Sequence, residues 1–299
     1  MEIVPGIHRI ESDLGPRFMC QYVLVGEERT VLIDTGLANT PNAVIEPYLR
    51  SIGTSLEAVD EVIISHADVD HCGGNLSVRS RNRSARFICH ELDRRWIESK
   101  EAMVAENYRW YEPYGFGPSA ESIRWIENEL GGDCPTDWGL QGGETLRLGR
   151  EWRVQVVHLP GHTPGHIGLW DERSRALIVI DAVLQDGIYD RAGNRLIPPR
   201  YYDARAYAAT IRSVRAMQPD VLLTAHFPVM EGSEAIAWID ASLEFTRAVQ
   251  TAVDEGIGKG LTGLAELTRY TDECVGPYPE SMNELGASVR AHASVPMVG

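Results

Sequence analysis

The chain has 299 residues, of which 43% are hydrophobic, and this composition supports a large folded core and argues against global disorder. Its 43 acidic residues outnumber its 28 basic residues and give a formal charge of −15, which disfavours a nucleic-acid partner through long-range repulsion. A small-molecule substrate is therefore the expected partner.

The cysteines and the N-terminal residues indicate a cytoplasmic protein. The five cysteines are odd in number and widely spaced, and they form no CxxC pair, which is typical of free thiols in a reducing compartment. The N-terminal stretch MEIVPGIHRIESD lacks a basic region followed by an apolar one, and no window approaches about 18 uninterrupted apolar residues. We therefore expect neither export nor membrane insertion.

The first third of the chain is predicted to consist of short strands separated by turns. The strands GIHRI, QYVLVG and TVLID are followed by a helix over residues 42–52, in which Pro47 lies in the first turn or kinks the helix. A buried strand, EVIIS, follows at 61–65, and another, ARFICH, at 85–90.

Residues 91 to about 130 are predicted to form a helical insert rich in aromatic residues. Its aromatic segment contains Tyr108, Trp110, Tyr111, Tyr114 and Phe116. This segment either folds over a site as a lid or packs a local pair of helices, and both interpretations stay open. As a lid it would present an apolar surface to an acyl or aromatic group, through Tyr108, Trp110, Tyr111 and Phe116.

The remaining chain contains further strands and ends in helices. Strands are predicted at 144–149, 152–160, 166–171, 176–181 and 221–226, with an amphipathic helix at 204–217. This order indicates an α/β or α+β sandwich rather than a doubly wound parallel sheet. We divide the chain into a main domain, 1–240, and a helical C-terminal extension, 241–299, for which homodimer formation and closure of the pocket are the roles left open.

Four predicted buried strands end in residues that bind metal ions in other proteins. The first of these strands leads into the stretch ISHADVDHCGG, which contains four potential metal ligands: His66, Asp68, Asp70 and His71. The other three strand endings contribute His162, Asp181 and His226. Histidine and aspartate supply nitrogen and oxygen ligands at neutral pH. A single strand that ends in such residues could equally be a polar turn, whereas four such strands predict a metal site. The four ligand-type residues in ISHADVDHCGG favour two metal ions close together.

This ordered set resembles the metallo-β-lactamase-fold superfamily, whose motifs are an early Asp, then HxHxDH, then His, Asp and His. The matching residues, within a resemblance that covers about residues 1–240, are Asp34, His66, Asp68, Asp70, His71, His162, Asp181 and His226. The resemblance implies an αββα sandwich with a small helical C-terminal appendage. It also implies two divalent metal ions, zinc, iron or manganese, at one edge of the sandwich.

The resemblance further implies a role for each of these residues. The first metal would be held by His66, Asp68 and His162, and the second by Asp70, His71 and His226. Asp181 would bridge the two metals, while Asp34 would orient ligands through hydrogen bonds. His166 is expected to support the site without binding metal, and Gly73 and Gly74 would let the backbone pass close to it.

Residue 68 departs from the family motif, which has a second histidine at this position. The Asp68 carboxylate is negatively charged and binds metals through one or both oxygens. We expect the added charge to make a metal-bound water less acidic and to favour iron or manganese over zinc. Relatives with a carboxylate here include diiron proteins, so redox chemistry stays open, as does a weakly occupied first site.

The complete ligand set favours a metallo-hydrolase, in which a metal-bound hydroxide attacks an ester, lactone, thioester or amide of a small molecule. Asp70 would orient the nucleophile and return a proton to the leaving group. The alternatives are a diiron oxygen-dependent oxidoreductase, motivated by Asp68, and a non-catalytic sensor or binding module. Tyr189, in the polar loop after Asp181, either contacts a substrate carbonyl oxygen or is an exposed hairpin residue.

Overall fold

The N-terminal half of the protein forms a seven-stranded sheet in which the strands follow one another in chain order. The computed structural model describes residues 1–279 and 282–293. The strands are β1 (Glu2–Val4), β2 (Ile7–Leu14), β3 (Arg17–Val25), β4 (Thr30–Ile33), β5 (Glu61–Ile64), β6 (Arg86–His90) and β7 (Trp138–Leu140). Strands β1 to β4 are antiparallel neighbours, whereas β4 to β7 run parallel, so the carboxyl ends of β4, β5 and β6 meet at one edge.

A second, six-stranded sheet has the order β15-β14-β11-β10-β9-β8. Its strands are β8 (Thr145–Arg147), β9 (Arg153–His158), β10 (Ile167–Asp171), β11 (Ala176–Ile180), β14 (Val221–Thr224) and β15 (Met230–Glu231), and a separate hairpin is formed by β12 (Ile188–Tyr189) and β13 (Arg195–Ile197). Strands β11 and β14 are parallel, which brings their carboxyl ends side by side.

Short helices connect the strands of the first sheet. They are α1 (Glu46–Ser51), α2 (Val69–Cys72), α3 (Asn75–Arg81), α4 (Arg94–Glu98), α5 (Lys100–Ala102) and α6 (Ala120–Glu129). The helix predicted at 42–52 begins with a π-helical turn, Pro41–Ile45, and Pro47 lies in the first turn of α1, the position that proline tolerates best in a helix. A second π-helical turn, Met103–Tyr108, lies inside the predicted aromatic insert.

The helices after the second sheet are longer. Helix α7 (Ala204–Met217) has the predicted bounds, and α8 (Gly232–Gly258), α9 (Leu264–Val275) and α10 (Met282–His292) follow it. The domain boundary predicted at 240/241 falls inside α8, where the backbone is continuous. The division into 1–240 and 241–299 stays a prediction, and residues 280–281 and 294–299 of the extension lie outside the described residues.

Three apolar layers hold the sheets and helices together and confirm the αββα arrangement. Between the sheets, Tyr22 of β3 and Ile63 of β5 belong to one cluster with Ile178 of β11. Because side chains alternate along a strand, Val23 points to the opposite face, into a second cluster with the helices of the first sheet. A third cluster packs the second sheet against α7 and α8, and includes Leu222.

The sequence prediction missed the short edge strands β1, β7 and β15. Each has two or three residues, too few for an alternating pattern to be recognised. No helix among the described residues is long and apolar enough to cross a membrane.

Candidate metal centre

The residues predicted to bind metal converge at one edge of the sandwich because strands of both sheets end there. Asp34 directly follows β4, and His66 lies two residues beyond β5. From the second sheet, Asp181 directly follows β11, and His226 lies two residues beyond β14. His162 comes from the loop after β9, and all five residues are buried.

Two of these strand ends have an unusual backbone conformation. Asp34 has φ 61° and Ile180 has φ 52°, in the left-handed region that residues other than glycine rarely adopt. Ile180 also lies at an irregularity in the pairing of β11 with β14, which alters the direction in which Asp181 leaves the sheet. Such strain costs about 1–3 kcal/mol per residue and concentrates at functional sites.

The first ligand set consists of His66, Asp68 and His162. Asp68 Oδ2 lies 3.1 Å from His162 Nε2 and 3.3 Å from His66 Nε2. The three ligand atoms lie within 4.8 Å of one another, and all three residues are buried. These spacings fit three donors around one small cation.

The second ligand set consists of Asp70, His71 and His226. Asp70 Oδ2 lies 3.8 Å from His71 Nε2 and 3.5 Å from His226 Nε2. Asp181 Oδ2 lies between the two sets, at 3.5 Å from His71 Nε2, 3.3 Å from His226 Nε2 and 3.9 Å from His66 Nε2. The position of Asp181 is therefore the one that a bridging ligand would need.

The four histidines all turn Nε2 toward the centre because each Nδ1 is engaged elsewhere. His162 Nδ1 donates to the carbonyl of Arg200 at 2.6 Å, and His226 Nδ1 donates to the carbonyl of Phe18 at 3.0 Å. A carbonyl only accepts, so these Nδ1 atoms carry the proton, and in the neutral ring Nε2 keeps its lone pair for a metal.

Asp34 orients the other two histidines. Its Oδ2 accepts from His71 Nδ1 at 2.8 Å and from the Ser65 hydroxyl at 2.7 Å, while the same hydroxyl accepts from His66 Nδ1 at 3.0 Å. The Ser65 N–H donates to Asp34 Oδ1 at 2.7 Å, which completes the engagement of this carboxylate. The orienting role that the resemblance implied for Asp34 would need contacts of this kind, and the role itself stays a prediction.

The residues of the centre have the donor atoms that divalent metal ions accept. Buried Nε2 atoms of His66 and His71 and Oδ1 of Asp181 have no hydrogen-bond partner among the described residues. A buried polar atom without a partner is costly, and nitrogen and carboxylate oxygen donors are those that divalent transition metals accept. A bound metal ion would give these atoms the partners that they lack.

The electrostatics of the centre also favour a bound cation. Burial alone lowers the pKa of His71, yet the Asp70 and Asp34 carboxylates raise this pKa well above its usual value. For His226, burial again acts downward, while the Asp181 carboxylate produces a net rise in its pKa. The carboxylates therefore create a negative field that a bound cation would neutralise.

Glycines and His166 complete the immediate surroundings. A Cβ placed on Gly73 would lie 2.1 Å from the carbonyl oxygen of Glu129, so only glycine lets the backbone pass there. The His166 ring is buried and stacks on His66, with centroids 4.7 Å apart, and its Nε2 accepts from the Asp181 N–H at 3.3 Å. Burial lowers the pKa of His166 well below its usual value, and its Nε2, which accepts a hydrogen bond, carries no proton.

Three residues of the centre were missed by sequence reasoning. Arg200 forms an ion pair with Asp68, and Asn107 Nδ2 donates to Asp68 Oδ1 at 3.1 Å. Asp93, three residues beyond β6, accepts from the Ala67 N–H at 3.2 Å and the Gly165 N–H at 2.6 Å, and so joins two loops that carry ligands. Burial raises the pKa of Asp93 to about 6. Only Asp93 has a recognisable signal, since it also follows a buried strand.

The aromatic insert packs against the C-terminal helices. Tyr111 is fully buried, and its hydroxyl lies 3.0 Å from Thr268 Oγ1 of α9. Trp110 and Phe116 are partly buried against the same cluster. The insert therefore packs on distant C-terminal helices and not on a local pair of helices, and its role as a lid stays a prediction.

Two tyrosine hydroxyls predicted to meet substrate have protein partners. Tyr108 is buried, and its hydroxyl accepts from the Val69 N–H at 2.9 Å, which fixes the start of α2. Tyr189 belongs to the β12–β13 hairpin, where its hydroxyl donates to Asp186 at 2.7 Å. Substrate contact through the predicted aromatic residues stays a prediction.

Comparison with known proteins agrees with this geometry. The family model of the metallo-beta-lactamase superfamily matches residues 15–226, which include every residue of the two ligand sets. The chain belongs to this superfamily.

Relatives within the superfamily resemble most of the chain. The probable metallo-hydrolase YflN of Bacillus subtilis is 24% identical over 251 residues, covering 77% of this chain and 87% of the relative. Hydroxyacylglutathione hydrolase GloC of Haemophilus influenzae is 23% identical over 169 residues, covering 56% of this chain and 68% of the relative. The crystal structure of the family protein TTHA1429 from Thermus thermophilus shares the fold, with a TM-score of 0.73, 19% identity and coverage of 97% and 93%.

Proposed function

We propose that the protein is a metal-dependent hydrolase that cleaves an ester, lactone, thioester or amide bond of a small molecule. The observation that carries this proposal is the pair of ligand sets joined at Asp181 Oδ2, with the Nε2 atoms of the four histidines directed between them. Relatives named as a metallo-hydrolase and a hydroxyacylglutathione hydrolase support hydrolysis over the other reactions considered.

Divalent metal ions held by the two sets would supply an activated water at neutral pH and polarise the carbonyl under attack. The first set would comprise His66, Asp68 and His162, and the second Asp70, His71 and His226. Asp34 keeps the rings of His66 and His71 in the orientation that exposes Nε2, so the chain presents its ligands preformed.

In this proposal Asp70 moves the proton. Its carboxylate makes no hydrogen bond with any described residue, and its nearest charged neighbours are His71 and His226. Asp70 is also partly exposed, unlike the other carboxylates of the centre. An oxygen of Asp70 can therefore orient the attacking water and later transfer a proton to the leaving group.

The test is hydrolysis by protein that has been stripped with a chelator and reloaded with zinc, iron or manganese. We expect metal-dependent cleavage of at least one ester, lactone, thioester or amide in a panel that also contains phosphoesters. The Asp70→Asn variant should lose this activity, whereas Asp240→Asn, which removes a surface partner of Arg215, should keep it.

Oxygen consumption by the iron-loaded protein, without hydrolysis of any compound, would replace this proposal with the oxidoreductase alternative. Stoichiometric metal with neither activity would leave the binding-module alternative.

A further inference from the structure

The Asp68 carboxylate divides its two oxygens between different partners. Oδ2 faces the centre, at 3.1 Å from His162 Nε2 and 3.3 Å from His66 Nε2. Oδ1 faces away and accepts from Arg200 Nη2 and from Asn107 Nδ2, the latter at 3.1 Å. Only one oxygen of Asp68 is therefore available to a metal.

Arg200 contacts two of the three residues in the first ligand set. Its guanidinium pairs with Asp68, and its backbone carbonyl accepts from His162 Nδ1 at 2.6 Å. The Arg200 side chain is 6% exposed, and Asp68 is the only carboxylate within ion-pair distance of it among the described residues. Such a buried guanidinium is costly without a counter-charge.

Asn107 fixes the same carboxylate from another direction. Its Nδ2 also donates to the Ala67 carbonyl at 2.7 Å, and its Oδ1 accepts from the Tyr202 hydroxyl at 2.8 Å. The amide orientation is thereby determined, and Nδ2 is held against Asp68 Oδ1. Asp68 is thus restrained on the side that faces away from the centre.

The ion pair also changes the charge of the first set. An aspartate in place of a neutral histidine adds one negative charge, and the adjacent Arg200 contributes one positive charge. Two neutral imidazoles, Asp68 and Arg200 together have no net charge, as three neutral imidazoles would. The charge on which the sequence-based preference for iron or manganese rested is therefore offset inside the protein.

We infer that Arg200 is a positioning residue that makes Asp68 a single-oxygen, charge-compensated equivalent of the histidine that stands at this position in the family motif. The aspartate and the arginine then form one unit, and neither is suited to the site without the other. This inference rests on the proposed function only in that both require the first ligand set to bind metal.

A double-mutant cycle tests this unit through metal affinity rather than activity. Zinc and manganese affinities of chelator-stripped protein would be measured by competition with a chromophoric chelator, for wild type, Asp68→His, Arg200→Met and the double variant. Arg215→Met, which breaks the surface ion pair with Asp240, serves as the control arginine. Unfolding of the metal-free proteins would be followed in parallel.

In Asp68→His the buried guanidinium loses its partner and leaves an uncompensated positive charge beside the first set, so we expect first-site zinc affinity to fall about tenfold or more. Adding Arg200→Met should recover at least most of that loss. Arg200→Met alone leaves an uncompensated carboxylate, which should raise affinity for manganese relative to zinc. Arg215→Met should bind both metals as wild type does.

Wild-type affinity in Asp68→His, or a double variant no better than Asp68→His, would overturn the inference. If Asp68→His does not fold, the same cycle is made with Asp68→Asn, which preserves the shape of the side chain. If the wild type binds metal but hydrolyses nothing, and the double variant recovers zinc affinity, only the proposed function is refuted. If the wild type hydrolyses a substrate but the double variant does not recover zinc affinity, only this inference is refuted.

Discussion

The two halves of the metal centre differ in how each carboxylate is held. Asp68 is tied through Oδ1 to Arg200 and Asn107, whereas Asp70 makes no hydrogen bond with any described residue. Both carboxylates direct Oδ2 toward the Nε2 atoms of two histidines, at 3.1 and 3.3 Å for Asp68 and at 3.8 and 3.5 Å for Asp70. Asp68 is thus restrained by side-chain hydrogen bonds that Asp70 lacks, and this contrast underlies the proposal that Asp68 acts as a fixed ligand and Asp70 as the proton-transferring group.

The largest expected effect is that of Asp70→Asn. Because the amide cannot carry the proton, kcat should fall about 10²- to 10⁴-fold, and zinc content should decrease at the second set while the first set stays occupied. Steady-state kinetics and metal analysis of the same preparation would measure both. Equal losses of kcat in Asp70→Asn and Asp68→Asn, with metal retained in both, would remove the distinction between the two halves.

A smaller effect is expected from Asp34→Asn, which acts on both halves. The amide loses one of the acceptor atoms that hold His71 and Ser65, so zinc affinity of both sets should fall about 10- to 100-fold. Ser65→Ala removes the hydroxyl contacts to His66 and to Asp34 Oδ2 but keeps the bond from His71 Nδ1 to Asp34, so it should weaken mainly the first set. Competition titrations resolve the two sites, and weakening of the second set by Ser65→Ala would contradict this assignment.

Asn107→Ala is expected to weaken the first set by about tenfold, at the lower end of the range for residues that orient ligands. The second set should be unaffected, because Asp68 of the first set is the only residue of either ligand set to which Asn107 forms a hydrogen bond. The measurement is again zinc competition. A fall in zinc affinity confined to the second set would contradict the assignment of Asn107 to Asp68.

The smallest effect on catalysis is expected for Tyr108→Phe. The buried Val69 N–H loses its acceptor, so the free energy of unfolding should fall by about 1–3 kcal/mol, with kcat nearly unchanged. Tyr189→Phe provides a matched loss of a hydroxyl in the partly buried hairpin, and should cost about 1 kcal/mol or less. Denaturant unfolding measures both, and a fall in kcat without loss of stability would instead indicate that Tyr108 contacts substrate.

The candidate ligands could be identified from the sequence because each belongs to a local pattern. A buried strand that ends in His or Asp is visible within about ten residues, and the carboxyl ends of neighbouring parallel strands meet at one edge. Arg200 has no such signal, since it stands after two prolines and lies 132 residues from Asp68 in the chain. Asn107 was inside a stretch noted for its aromatic residues, and its role depends on an amide that no periodicity marks.

The sequence by itself determined the fold class, the order of the strand ends and the residues that can donate to a metal, because these depend on short-range patterns of polarity and residue type. Only the tertiary structure decided the environment of Asp68. Its charge is compensated by a distant arginine, and one of its oxygens is withdrawn from the centre, because the chain brings Arg200 and Asn107 together beside it. Electrostatic effects act through space, so the chemical meaning of the aspartate depends on neighbours that local sequence does not specify.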